Sequence, residues 1–315
     1  MRVMSIGNVT ADTSLFVRRI PKLNQEASVC SRVDSIGGSA AVCSSMFASL
    51  GWHSLILSRV GNDDTGARAT RLLEDSGVDT SRLVRVDGQT GSLFMIYDES
   101  FNRCVYYDPG ACALRPEDLE DQAIEESDLV VLCCTSIEVT SRAAQIAKSL
   151  GTTVVLNPSG VLVNQRAHLV QRVLPMVDFL FLNRAELTEY SGASSVEAAC
   201  DSLCKHGQFL LVATLGAEGC LVWGEDLRQV VPGYGVAARY PSGAGDWFLA
   251  AFLHTFCRVR DTFLAADFAN AVGAAATLAE RKLEQLPTSA EIDLILRSRE
   301  AGGTQSRAEQ DIGVR

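Results

Sequence analysis

Short apolar, β-branched runs alternate with helical patterns from Val3 to about Leu296, the pattern of a parallel sheet with helices on both faces. The pattern predicts core strands over 3–6, 55–60, 129–132, 153–156, 179–182, 210–214 and 220–223. It predicts helices over 40–50, 65–76, 138–150, 185–191, 196–206, 243–257 and 262–279. Two stretches, about 13–35 and 84–107, carry polar alternation with no intervening helix. They read as a small β-sheet standing off the main domain, whose natural use is a lid over the strand ends. The segment from about Arg299 to Arg315 is polar and aperiodic, so disorder is expected there. No internal repeat is visible.

Composition narrows the class. With 315 residues and 47% hydrophobic content, the chain can fill one large α/β domain with an appendage, or two ordinary domains. A net charge of −10 and a pI near 5.0 argue against a nucleic-acid or anionic-membrane partner. No apolar run approaches the roughly 20 residues of a spanning helix, and the start is too short in its apolar part for a signal peptide, so a cytoplasmic protein is expected. The ten cysteines are scattered through apolar segments without Cys-x-x-Cys spacing, as small buried hydrophobes in a reducing compartment would be. Cys200, Cys204 and His206 lie close together, but no second ligand cluster accompanies them.

The stretch with the most chemical content is Gly243-Ala244-Gly245-Asp246, followed at once by the apolar run 247–253. Two glycines let the backbone approach a ligand, and the helix they open directs N–H groups at an anion. A carboxylate beside that site suits a base that removes a proton from a hydroxyl while the N–H groups hold the acceptor's charge. The simpler alternative is a glycine loop with an Asp favoured by the helix dipole. No Gly-Lys dipeptide occurs, which excludes a Walker A loop. Gly233 and Gly235 fit a dinucleotide-binding pattern by letter, but Pro241 interrupts the segment where its helix would run.

Other candidates each carry two readings. Gly37-Gly38 precedes a small-residue helix and is either a tight turn or a surface a polyol can approach. Asp12, after the first strand, is either a turn cap or a ligand group at a strand's carboxyl end. Asn183 and Glu186 form a helix-capping pattern, and the same pair can orient a hydrated Mg²⁺. Thr214, Gly216 and Gly219 form either a plain hairpin or a loop against which phosphates lie.

Taken in order, these pieces resemble the ribokinase-like, or PfkB, family of carbohydrate and nucleoside kinases. Further matches are Val60-Gly61-Asn62-Asp63 with Thr65-Gly66, Ser76-Gly77-Val78-Asp79-Thr80, and Asn157-Pro158. The match runs from about Val3 to Leu286, close to nine tenths of the chain, and implies a kinase domain over 1–298 with an α/β, doubly wound, mostly parallel sheet. The resemblance implies ATP and Mg²⁺ as cofactors, Asp246 as base, and the backbone of Gly243, Ala244 and Gly245 as an anion hole. It implies that Asn183 and Glu186 help place Mg²⁺ and phosphates, with Glu186 the metal-directed group. Thr214, Gly216 and Gly219 would line the ATP phosphates, with Asn270 near the base of the nucleotide. Asp12, Gly37 and Gly38 would hold hydroxyls of a small sugar, sugar acid or polyol. A nucleoside acceptor, favoured by Phe16, Phe94, Phe101, Tyr106 and Tyr107 in the lid, and a binding protein that has lost turnover are the alternatives. A homodimer through the lid edge is a further expectation.

The chain departs from the family pattern in three places. Tyr240-Pro241-Ser242 stands where the family writes Asp-Thr-x, which puts in doubt both the monovalent-cation site and a substrate contact that the family's first Asp supports. Val42 replaces the substrate-binding Asn, and losing a partner for a buried hydroxyl costs about 1–3 kcal/mol, which argues against a standard ribose pocket. The segment 280–286 replaces a glycine turn, which leaves the nucleotide-base contacts without their usual frame.

Overall fold

The computed structural model describes residues 1–133, 135–158, 166–278 and 283–310, with Val170 and 300–310 by backbone alone. The chain divides into two compact units, the first holding Met1–Asp178 and Lys282–Glu284, the second Phe179–Arg281 and Gln285–Arg315.

The first unit runs β1 (Arg2–Gly7), β2 (Thr10–Val17), β3 (Val29–Gly37), α1 (Ser39–Ser49), β4 (His53–Gly61), α2 (Asp64–Asp75), β5 (Asp79–Val86), β6 (Ser92–Tyr97), β7 (Arg103–Asp108), α3 (Asp121–Glu125), β8 (Leu129–Cys133), α4 (Ile137–Leu150), β9 (Thr153–Asn157) and α5 (Arg166–Arg172). Strands β9, β8, β1, β4 and β5 lie side by side in that order, every pair parallel. Val3, Met4, Ile6, Ile56, Val130 and Val131 are almost wholly buried, as strands covered on both faces require. Each such side chain contributes about 1.5–3 kcal/mol by leaving water.

A separate four-stranded sheet has the order β3, β2, β6, β7. It matches the expected small sheet with shifted bounds. Residues 84–86 belong to β5 of the parallel sheet, where they pair with Arg59, Val60 and Gly61, so the second lid segment begins at Ser92. In the other segment β2 starts at Thr10, pairing with Gly37.

The second unit runs β10 (Phe179–Asn183), α6 (Arg184–Ser191), α7 (Val196–Cys204), β11 (Leu210–Thr214), β12 (Gly219–Trp223), β13 (Arg228–Pro232), α8 (Ala244–Val259), α9 (Thr262–Thr277) and α10 (Ser289–Gln310). Strands β10 and β11 are parallel, while β12 and β13 add antiparallel. Helix α8 buries Trp247 through Leu253, and Phe248, Phe252 and Phe256 form a stacked ladder against Phe179 and Phe181 of β10.

Helix α10 runs through Arg299, where disorder was expected to begin. Arg299 bonds to Asp267 and to the carbonyls of Pro232 and Gly233, and its guanidinium stacks 3.9 Å from the centre of the Tyr234 ring. Those long-range contacts leave no trace in local periodicity. The expected helix end at 279 and positions 280–282 of the departing segment lie outside the described residues, as does Cys134. Among the described residues no helix is long and apolar enough to cross a membrane.

Candidate active site

In the first unit the candidate residues gather around Asp12. The sequence places this carboxylate on β2 directly opposite Ser35 of β3, and its side chain is buried, accepting a hydrogen bond from Thr10 Oγ1 at 2.6 Å. A Cβ built on Gly37 would stand 2.2 Å from Asp12 Oδ2, so the carboxylate occupies the space that glycine leaves. Gly38 (φ 99°) caps α1 without a side-chain bond, and a Cβ there would stand 2.4 Å from the Asn8 carbonyl. Asp12, Gly37 and Gly38 therefore form one cluster. Val42 donates its N–H to Gly38 one turn into α1 and is buried, presenting only methyl groups at that position.

Asn8 escaped the sequence reading. It lies between β1 and β2, is 7% exposed, and its Oδ1 is buried with no hydrogen-bond partner among the described residues. A buried acceptor left unpaired costs about 1–3 kcal/mol, which makes Asn8 a candidate to accept from an acceptor hydroxyl beside Asp12. The only sequence signal was its place just beyond a central strand's carboxyl end.

Register sorts the lid aromatics. Asp12 shares its rung with Leu93 and Tyr107, and alternation puts Phe16 and its partner Tyr97 on the same face, their rings stacked at 5.4 Å. Phe94 and Tyr106 pair with each other on the opposite face, exposed at 45% and 61%. Phe101 sits in the β6–β7 turn with φ 58°.

In the second unit, Asn183 ends β10 and Thr214 ends β11, paired in register. Asn183 Oδ1 accepts from the Glu186 N–H and Glu186 Oε2 accepts from the Asn183 N–H, both at 2.9 Å, so the capping box is real. That box uses one oxygen of Glu186, whose carboxylate has about four acceptor sites. An all-oxygen pair of this kind fits Mg²⁺, which keeps its waters and takes one or two protein oxygens. Arg184, the residue between them, reaches Glu218 at 2.7 Å.

The 214–219 turn contains two different glycines. Gly216 is exposed, and a Cβ there would meet nothing within 4 Å. Gly219 (φ 102°) is buried, and a Cβ there would stand 2.1 Å from the Val231 carbonyl and 2.4 Å from Gly233 N. Gly216 offers an open backbone surface, whereas Gly219 lets β12 pass tightly over the end of β13. Asn270, 8% exposed on α9, donates Nδ2 to the carbonyls of Val231 and Pro232 at 3.2 Å each, and so braces β13.

Gly243 takes φ 85° as the N-cap of α8 and has no side-chain cap. Its carbonyl accepts from Asp246 and Trp247, while Ala244 N–H donates to Pro241 at 3.4 Å. Gly245 is exposed with no atom within 4 Å of a built Cβ, so the first turn of α8 is open on that side, and Asp246 follows it half-buried. Among the described residues no group of three or more His, Cys, Asp or Glu is placed to hold a metal, so Cys200, Cys204 and His206 form no such cage. Burial pushes the Cys200 and Cys220 thiols up to about 12, which suits small buried hydrophobes.

Residues 1–288 match the model of the pfkB family carbohydrate kinases. The chain is 32% identical over 277 residues to an ATP-dependent ribose-1-phosphate kinase of Halopiger xanaduensis, covering 87% of this chain and 91% of that one. It is 26% identical over 274 residues to a nucleoside kinase of Methanothermobacter thermautotrophicus, covering 86% and 87%. The fold superposes on a ribokinase of Cryptococcus neoformans in complex with ADP with a TM-score of 0.82, at 20% identity, covering 93% of this chain and 98% of that one.

Proposed function

This chain belongs to the pfkB family of carbohydrate kinases, and on that premise we propose that it transfers the γ-phosphoryl group of ATP to a hydroxymethyl group of a small sugar, sugar acid or polyol. The observation that carries the reading is the start of α8. A left-handed glycine cap without a side-chain partner and an open Gly245 are followed directly by Asp246. Asp246 takes the proton of the attacking hydroxyl, and the first turn of α8 stabilises charge on the transferred group. The Gly243 and Gly245 N–H groups carry more of this than Ala244, which the turn already engages.

Glu186, steadied by Asn183, would hold Mg²⁺, and Thr214 and Gly216 would line the ATP phosphates. The metal supplies charge neutralisation on the phosphates when bound. Asn270 lies near the base of the nucleotide, steadied by the bonds of its Nδ2 to the end of β13. In the first unit Asp12, the Gly37–Gly38 backbone and Asn8 hold acceptor hydroxyls, with Val42 removing one contact expected for free ribose. A pentose already phosphorylated at its anomeric carbon, the substrate class named for the Halopiger relative, is the first acceptor to test. A nucleoside acceptor is the second reading, favoured by Phe16, Tyr97 and Tyr107 on the face of Asp12. The exposed Phe94 and Tyr106 on the other face suit pairing with a second copy of the chain.

The deciding experiment is ATP consumption with Mg²⁺ against free pentoses, hexoses, sugar acids, ribose 1-phosphate and nucleosides, with Asp246→Asn in parallel. Acceptor-dependent turnover lost in the variant supports the reading and names the acceptor. Silence across the panel, with thermal stabilisation by a sugar or nucleotide, favours a binding protein that has lost turnover.

A further inference from the structure

We infer that Arg299, on the last helix, is a positioning residue for ATP, acting through the end of β13 on the 214–219 turn. The inference rests on the reading that this turn lines the ATP phosphates.

The backbone of Pro232 and Gly233 is gripped from two sides. On one side it forms the floor of the turn. Gly233 donates its N–H to the Glu218 carbonyl at 3.1 Å, a Cβ on Gly233 would stand 2.5 Å from the Ala217 carbonyl, and Gly219 packs against Val231 and Gly233 with no room for a side chain. Any shift of residues 232–233 is therefore passed directly to residues 217–219. On the other side, Asn270 Nδ2 holds the Val231 and Pro232 carbonyls, and the Arg299 guanidinium holds the Pro232 and Gly233 carbonyls. Arg299 is itself locked. It bonds to Asp267, which also accepts from Tyr234 Oη at 3.0 Å, and its flat face lies on the Tyr234 ring.

A planar fork is required for this arrangement. Arg299 bonds to two carbonyls and one carboxylate while stacking on an aromatic ring, a combination an ammonium cannot reproduce. The partners of Arg299 are Asp267, the Pro232 and Gly233 carbonyls and the Tyr234 ring, so it acts on the turn through the end of β13. Its effect is geometric, and misplacement of a binding loop by about 1 Å can cost up to roughly a hundredfold in rate or affinity.

The test compares four full-length variants by KM for ATP, kcat, KM for the acceptor and melting temperature. Arg299→Ala is expected to raise KM for ATP about tenfold while kcat and acceptor KM stay within about twofold. Arg299→Lys, which keeps the charge but loses the fork, recovers only part of that. Ile292→Ala, buried on the same helix, controls for loss of α10 packing. An equal rise in KM for ATP in Ile292→Ala and Arg299→Ala, or full recovery by Lys, overturns the inference. Thr214→Val tests the underlying reading. If it leaves KM for ATP unchanged, the turn does not line the phosphates. If it raises KM for ATP while Arg299→Ala does not, the turn reading stands and the role of Arg299 fails. Should Arg299→Ala not fold, Arg299→Lys carries the same comparison.

Discussion

Asp12 Oδ2 lies 2.2 Å from the point where a Cβ on Gly37 would stand, so the carboxylate and the missing side chain share one space. Gly37→Ala must therefore turn Asp12 away, although the backbone at 37 has no positive φ to strain. The expected result is a rise of roughly tenfold in KM for the acceptor with KM for ATP near that of the parent, read from initial-rate kinetics. Equal changes in both constants would show that Asp12 has no particular relation to the acceptor.

Asp246→Asn keeps shape and hydrogen-bonding size but removes the base. Turnover should fall by about a hundredfold or more, with nucleotide affinity and melting temperature close to the parent. Nucleotide affinity by calorimetry, alongside kcat, separates this from a folding defect. A variant with comparable turnover would remove Asp246 from the mechanism.

Two glycines should respond in opposite ways. A Cβ on Gly245 meets nothing within 4 Å, so Gly245→Val should leave stability nearly unchanged while obstructing the phosphate and lowering kcat/KM for ATP. Gly219→Ala meets the Val231 carbonyl at 2.1 Å in a backbone at φ 102°. It should cost at least about 1–3 kcal/mol in urea unfolding.

Asn183 and Glu186 separate a structural from a chemical role. Asn183→Ala removes the N-cap of α6 and should cost about 1 kcal/mol of stability. Glu186→Gln keeps an oxygen for the Asn183 N–H, so stability should hold while the Mg²⁺ concentration for half-maximal rate rises several-fold. An unchanged Mg²⁺ titration would leave the pair with capping alone.

Asp63 caps α2 by accepting from Gly66 N–H and ties down Thr90 through its N–H and hydroxyl. Burial alone would raise this carboxyl, but the hydrogen bonds from Thr90 and Gly66 outweigh it and hold it below the ordinary value. A group lowered in the folded state stabilises above its unfolded pKa of about 3.9, and that contribution is lost as pH falls through the lower folded value. The melting-temperature gap between the parent and Asp63→Asn should be full at pH 6 and close progressively below about pH 4.

Much of this was legible along the chain. Apolar runs at strand length, with helical periodicity between them, located the parallel strands β1, β4, β8, β9, β10 and β11, because burial on both faces demands continuous hydrophobicity, whereas the half-exposed β5 went unread. The Asn183 to Glu186 spacing announced its capping box for the same local reason. Arg299 was illegible, since its partners Asp267, Pro232, Gly233 and Tyr234 lie 32 or more residues away. So was the boundary at residues 84–86, which depends on pairing with β4.

By itself, then, the amino-acid order determined the class of fold, the starts of α1, α2, α4, α6, α7, α8 and α9 to within a residue, and the glycine-rich segments, all of which rest on interactions within a few residues. Only the tertiary structure decided which glycines offer open backbone and which are filled by a neighbour, and that Asn270 braces a strand. It also decided which lid aromatics share the face of Asp12, and that Asn8 carries a buried oxygen with no partner among the described residues. Those outcomes depend on strand register and close approach between distant segments, which a linear pattern of hydrophobic and polar residues does not encode.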